Sequence, residues 1–118
     1  MYASFDPDIA APITGTSANY SVTTWKGTVT FTVRDQNNNL VTGARVQGTW
    51  SPTPFGTPPT SCTTVLATPG MCTITTGNNA FSESAPSELY TVTSISKSGG
   101  YRYNAAGNVS SSVTILNP

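Results

Sequence analysis

At 118 residues the chain is one small domain's worth, and 36% apolar with 9% aromatic residues is enough for a modest core. Five basic and five acidic residues cancel, and only 8% of the chain is charged, which excludes a basic nucleic-acid footprint and a polybasic membrane patch. Without histidine there is no His-based triad, general base or zinc site. No apolar run approaches the roughly 18 residues of a membrane span.

Solubility rests on hydroxyls and amides instead of charge, since Thr and Ser make up about 30% of the chain. Thr is β-branched and favours strands, whereas Ser, Asn, Gly and Pro favour turns. No window carries the helical apolar spacing with caps. The chain therefore reads as all-β. Residues 1–21 read as a lead-in, part linker and part first strand, and residues 22–118 as the domain proper. The opening MYASFDPDIAAP has neither the basic nor the apolar region of a signal peptide, so the expectation is a domain from a longer exported chain.

Residues 22–35 give the strongest strand. Trp25, Val29, Phe31 and Val33 share one face; Lys26, Thr28, Thr30, Thr32 and Arg34 share the other. The run Gln36-Asn37-Asn38-Asn39 predicts a turn, because Asn tolerates positive φ. Residues 43–51 alternate again, with Ala44, Val46 and Trp50 inward. The proline-rich segment around 52–60 is a loop. Residues 61–66 and 71–76 predict two short strands around Thr68-Pro69-Gly70. Residues 77–86 form a loop, 88–97 a strand, and Tyr101–Tyr103 a short strand after the turn at 98–100. Residues 109–116 close the domain with Val109, Val113 and Ile115 on one face. About seven antiparallel strands at roughly ten-residue spacing predict a β-sandwich of the immunoglobulin or fibronectin-III kind.

Cys62 and Cys72 read as a disulfide if the protein is exported, or as two reduced thiols if it is not. A tight two-residue hairpin would hold them too far apart to bond. The bridge therefore requires a loop or bulge over residues 63–71. Two Cys with no His cannot complete a zinc shell. Asn19-Tyr20-Ser21 and Asn108-Val109-Ser110 match the short glycosylation sequon.

The strings Trp25–Asp35, Leu40-Val41-Thr42-Gly43-Ala44, Gly48-Thr49-Trp50-Ser51, Cys62-Thr63-Thr64 with Cys72, Thr91–Ser96 and Ser112–Ile115 carry a likeness. Over residues 22–118 the chain resembles an immunoglobulin-like accessory module of secreted bacterial multidomain proteins, often attached to extracellular peptidases or other hydrolases. Asn38 stands where that pattern has Gly, Leu40 where it has Pro, and the Cys spacing is about two residues longer. The resemblance implies a fold and an extracellular or cell-surface setting. It carries over no catalytic residue.

The chemistry-bearing residues are few. Glu83 and Glu88 flank Pro86 and read as a solvated pair, as do Asp6 and Asp8. Lys26 falls on the solvent face, which argues against a Ser–Lys dyad or an internal Lys–Asn isopeptide bond. No spaced acidic loop for calcium surrounds Asp6, Asp8 or Asp35. The Thr28, Thr30, Thr32 row reads as an ordinary solvent face, because one strand supplies one row. Trp25 and Trp50 are in phase with the core. Sugar sites use exposed rings, and the candidates are Phe55 in the proline loop with Tyr101 and Tyr103. The expectation is a monomeric, non-catalytic spacer or binding module without cofactor or metal, whose partners are attached domains and a polysaccharide or protein substrate. The alternative is a carbohydrate-binding module that targets an attached hydrolase through those loop aromatics.

Overall fold

A computed structural model describes residues 8–9, 13–35, 37–51, 54, 58–77, 80–97 and 108–118. These residues form strands only: β1 (Asp8–Ile9), β2 (Thr14–Asn19), β3 (Thr24–Arg34), β4 (Arg45–Ser51), β5 (Ser61–Thr63), β6 (Met71–Thr75), β7 (Phe81–Ser82), β8 (Ser87–Ser96) and β9 (Ser112–Leu116). All pairings are antiparallel, as expected of an all-β chain. Two sheets result. In the first, β3 is central, with β1 and β2 following one another along it and β6 and β7 doing the same. The second runs β5-β4-β8-β9. The described residues thus hold nine strands where the sequence predicts about seven, because two of the lanes flanking β3 are interrupted.

The alternation on β3 is realised: Trp25, Val29, Phe31 and Val33 are buried, and the Lys and Thr between them are not. Val46, Trp50, Tyr90, Val92, Ile95 and Ile115 answer from the second sheet. At the centre four rings interlock across the sheets. Trp50 meets Phe81 at 5.1 Å and Tyr90 at 5.0 Å between ring centroids, and Trp25 meets Phe81 at 4.7 Å. Tilted and edge contacts of this kind add stabilisation beyond the area they bury. Both indole N–H groups are satisfied by backbone carbonyls, Trp25 at Ser82 and Trp50 at Pro59.

The long strand β8 needs one irregularity. Tyr90 and Val92 are two apart, but Ile95 is three further on, so a regular strand would turn it to solvent. A bulge at Thr93, where the partner register jumps between Gln47 and Gly48, returns Ile95 to the core.

Two readings change. The strand expected over 61–66 ends at Thr63; β5 pairs with β4 in one sheet and β6 with β3 in the other, and the two segments meet in a single antiparallel bridge between Val65 and Met71. The chain crosses between sheets there, and this is the loop the disulfide requires. Cys62 and Cys72 are bonded, with Cα atoms 5.8 Å apart. Second, β9 starts at Ser112 instead of 109, and Val109 is 58% exposed, so it does not share the buried face of Ile115. The lead-in contributes strand, as expected: the six residues of β2 pair with Trp25–Thr30. The asparagine turn stands as expected: Asn38 has φ 65°, and Asp35 accepts hydrogen bonds from the N–H groups of Asn37 and Asn39.

The seam opposite the disulfide is closed by packing. Ile115 lies over Gly15 and Gly27, where a methyl at either glycine would overlap it. Ser17 Oγ donates to the Leu116 carbonyl, and the Ile13 N–H donates to Ser110 Oγ. Replacing both cysteines by serine removes the covalent seam; a crosslink closing a loop of this size is worth about 2–3 kcal/mol. Urea unfolding of the Cys62→Ser, Cys72→Ser double variant should show that loss, and a midpoint unchanged from the parent would show that the core alone holds the sheets.

Candidate functional site

The proline loop that the sequence singles out leaves β4 after Ser51 and returns at Thr60. Its returning limb is fixed by the core. Trp50 Nε1 donates to the Pro59 carbonyl at 3.0 Å, Tyr90 Oη donates to the Thr60 carbonyl at 2.6 Å, and the Gly48 N–H donates to the same oxygen at 3.0 Å. Gln47 Nε2 adds a bond to Thr60 Oγ1. Burial pushes the Tyr90 phenol above its ordinary range, so it remains a donor. Gly48 is required by space: a side-chain carbon there would run into the Thr91 carbonyl and the Tyr90 ring. The Gly-Thr-Trp-Ser string thus has a physical content, with Gly48 admitting Tyr90 and Trp50 holding the loop's root.

Phe55, Tyr101 and Tyr103 all lie outside the described residues. Trp25 and Trp50 are buried and serve the core, so neither offers a stacking surface.

A second sequence string acquires a role at the disulfide. The hydroxyl of Thr64 donates to the Val41 carbonyl and accepts from the Ala44 N–H, and its backbone pairs with Gly43 and Ala44. Thr64 therefore clamps the turn that enters β4, two residues from Cys62.

Among the described residues, the carboxylates of Asp35, Glu83 and Glu88 do not assemble. Asp35 is engaged in its own turn. Glu83 is exposed in the turn after β7, while Glu88 sits on the core face of β8 at 1% exposure. The expected solvated pair is therefore corrected. Glu88 is in phase with Tyr90 and Val92, and that spacing was the available signal for its burial. No hydrogen bond reaches Glu88 Oε1. Burial pushes the carboxyl up to about 7. Among the described residues no group of three His, Cys, Asp or Glu could hold a metal ion, and no helix is long and apolar enough to cross a membrane.

Comparison with family models, with curated proteins and with solved structures found no match for this chain.

Two outcomes follow from this geometry. Gly48→Ala forces the bulge and the loop root apart and should cost about 2 kcal/mol or more, a size typical of overpacking against fixed backbone. Denaturant titration with tryptophan fluorescence reads it, and a loss under about half a kcal/mol would contradict the crowding. Glu88 links stability to pH. Below its ordinary value of 4.5 both folded and unfolded chains hold the proton. Between 4.5 and about 7 the unfolded chain releases it and the folded one keeps it, so stability falls as pH rises. The loss levels off above that window at up to about 3 kcal/mol. Unfolding free energies at the two ends of the window should differ in this sense, and Glu88→Gln should remove most of the difference. A parent more stable at the alkaline end would refute the assignment.

Proposed function

We propose that this chain is a non-catalytic, immunoglobulin-like accessory module of a secreted bacterial multidomain protein, acting as a rigid spacer and loop platform. The strand order carries the reading. Strand β3 with its two flanking lanes forms one sheet, and β5-β4-β8-β9 forms the other. The chain changes sheet after β3, β5 and β7, a cross-sheet wiring of the kind immunoglobulin-like and fibronectin-III-like sandwiches use. The disulfide supports an oxidising, extracellular setting. The likeness of the Trp25–Asp35 and Gly48–Ser51 strings to such modules points the same way.

The spacer role follows from how the ends of such a sandwich are built. Loops project from a body whose two sheets are joined at both seams, so force or substrate contact at one end is transmitted without the sheets sliding. A second reading, targeting of an attached hydrolase to polysaccharide through Phe55, Tyr101 and Tyr103, draws on the anchored root at Pro59 and Thr60. A fixed root lowers the entropy a loop loses on binding.

Deletion of the module from its parent polypeptide separates the readings. The spacer role predicts that the parent's chemistry persists while its thermal or proteolytic stability drops. The targeting role predicts lost retention on insoluble polysaccharide, reproduced by Phe55→Ala or Tyr101→Ala alone. Substrate turnover by this chain in isolation would overturn both.

A further inference from the structure

The outer face of the first sheet carries a feature that neither reading uses. Registration across three strands sets Thr14, Thr30 and Thr73 side by side, and Thr16, Thr28 and Thr75 side by side. The row expected from β3 alone is therefore flanked on both sides, which corrects the reading of an isolated row. Neighbouring strands lie about 4.8 Å apart, and successive same-face residues along one strand about 6.7 Å apart. Thr30 and Thr73 share a hydrogen bond of 3.1 Å. Each Thr is stiff at χ1, so the grid presents its hydroxyls at little entropic cost.

Lys26 stands at one end of this grid. It faces Ala18 on β2. Beyond Thr75 and Thr76 on the other side comes Gly77, with open space where a side chain would stand. Small neighbours on both sides leave a recess of about 140 Å³ whose walls include Lys26, Thr16, Thr28 and Thr75. No acidic residue occupies an outward position on β2, β3 or β6; on β3 those positions hold Lys26, Thr28, Thr30, Thr32 and Arg34. Glu83, whose backbone N–H donates to the Thr23 carbonyl, is in register three residues before Lys26, ahead of the start of β3.

We propose that this face binds an acidic glycan, with the carboxylate of one sugar unit seated in the recess against the Lys26 ammonium and neighbouring sugar hydroxyls meeting the threonine rows. The occupant follows from complementarity. A cation whose own strand and the strands β2 and β6 beside it carry no outward carboxylate attracts an anion, and rows of neutral hydroxyls match a polyol better than an apolar or a highly charged partner. A phosphate-dense polymer would meet one lysine where it needs several. The contact is an exposed one, so its strength is modest and falls with ionic strength. The proposal is independent of the accessory-module reading.

Amide chemical shifts of the ¹⁵N-labelled chain, titrated with a galacturonate tetramer, test it. Shifts should concentrate at residues 16–18, 26–28 and 73–76. Lys26→Gln should weaken the apparent affinity by about threefold or more, the size of one exposed charge pair, while Lys26→Arg retains it. Thr28→Val, which keeps shape and strand propensity, should weaken it without altering the rest of the spectrum. Several results overturn the proposal: no shifts on this face, shifts confined to residues 52–60 or 98–107, or an unchanged affinity in Lys26→Gln. Equal binding of a neutral cello-oligosaccharide would refute the charge recognition, and equal binding of inorganic phosphate would reduce the site to one for small anions.

Discussion

Two stacked β-sheets can slide or splay along the two seams where their edges meet, and the architecture of this chain turns on how those seams are shut. One is covalent, with Cys62 on the edge strand β5 and Cys72 on the edge strand β6. The other is steric: Ile115 on edge strand β9 fills the space left by Gly15 and Gly27, and backbone atoms of Ile13 and Leu116 are tied across by serine hydroxyls. Between the seams the Trp25, Phe81, Trp50 and Tyr90 rings fix the relative rotation of the layers. A small domain with few charges gains little from ion pairs. Cross-sheet packing, helped by the crosslink, must then supply most of what opposes chain entropy.

The parts of this arrangement that could be read from residue order are those set by local periodicity. Trp25 to Val33 and Ala44 to Trp50 alternate strictly, and both stretches lie where the alternation places them. The asparagine turn was legible because a non-glycine residue at positive φ is best tolerated there by Asn. Partner choice was not legible. Segments 61–63 and 71–75 are close in sequence and look like a hairpin, yet they join different sheets, since pairing is decided by the long strands already waiting in each. The bulge at Thr93 left a trace, the slip from even to odd apolar positions between Val92 and Ile95, but only a known partner strand makes it interpretable. Glu88 was read as one of a solvated pair because charge suggests solvent, although its spacing from Tyr90 put it inside.

The candidate sites divide along the same line. The lysine and threonines of β3 were visible as a solvent-facing row, but their meaning changed once β2 and β6 supplied matching rows. Function that depends on three strands acting as one surface is invisible in any one of them. By contrast, Gly48 and Thr64 acquire their roles from contacts alone: one makes room for Tyr90, the other clamps residues 41–44.

Glu88 is the sole carboxylic acid among the described core residues of the second sheet, and it shares the inner face of β8 with Tyr90, whose hydroxyl donates to the Thr60 carbonyl. Ionising Glu88 places an uncompensated charge two residues from that anchor, in a region where no donor reaches Oε1. The loop root and the charge therefore share one strand, while the disulfide joins two others, so the pH dependence of stability has its source on the strand that holds Thr60.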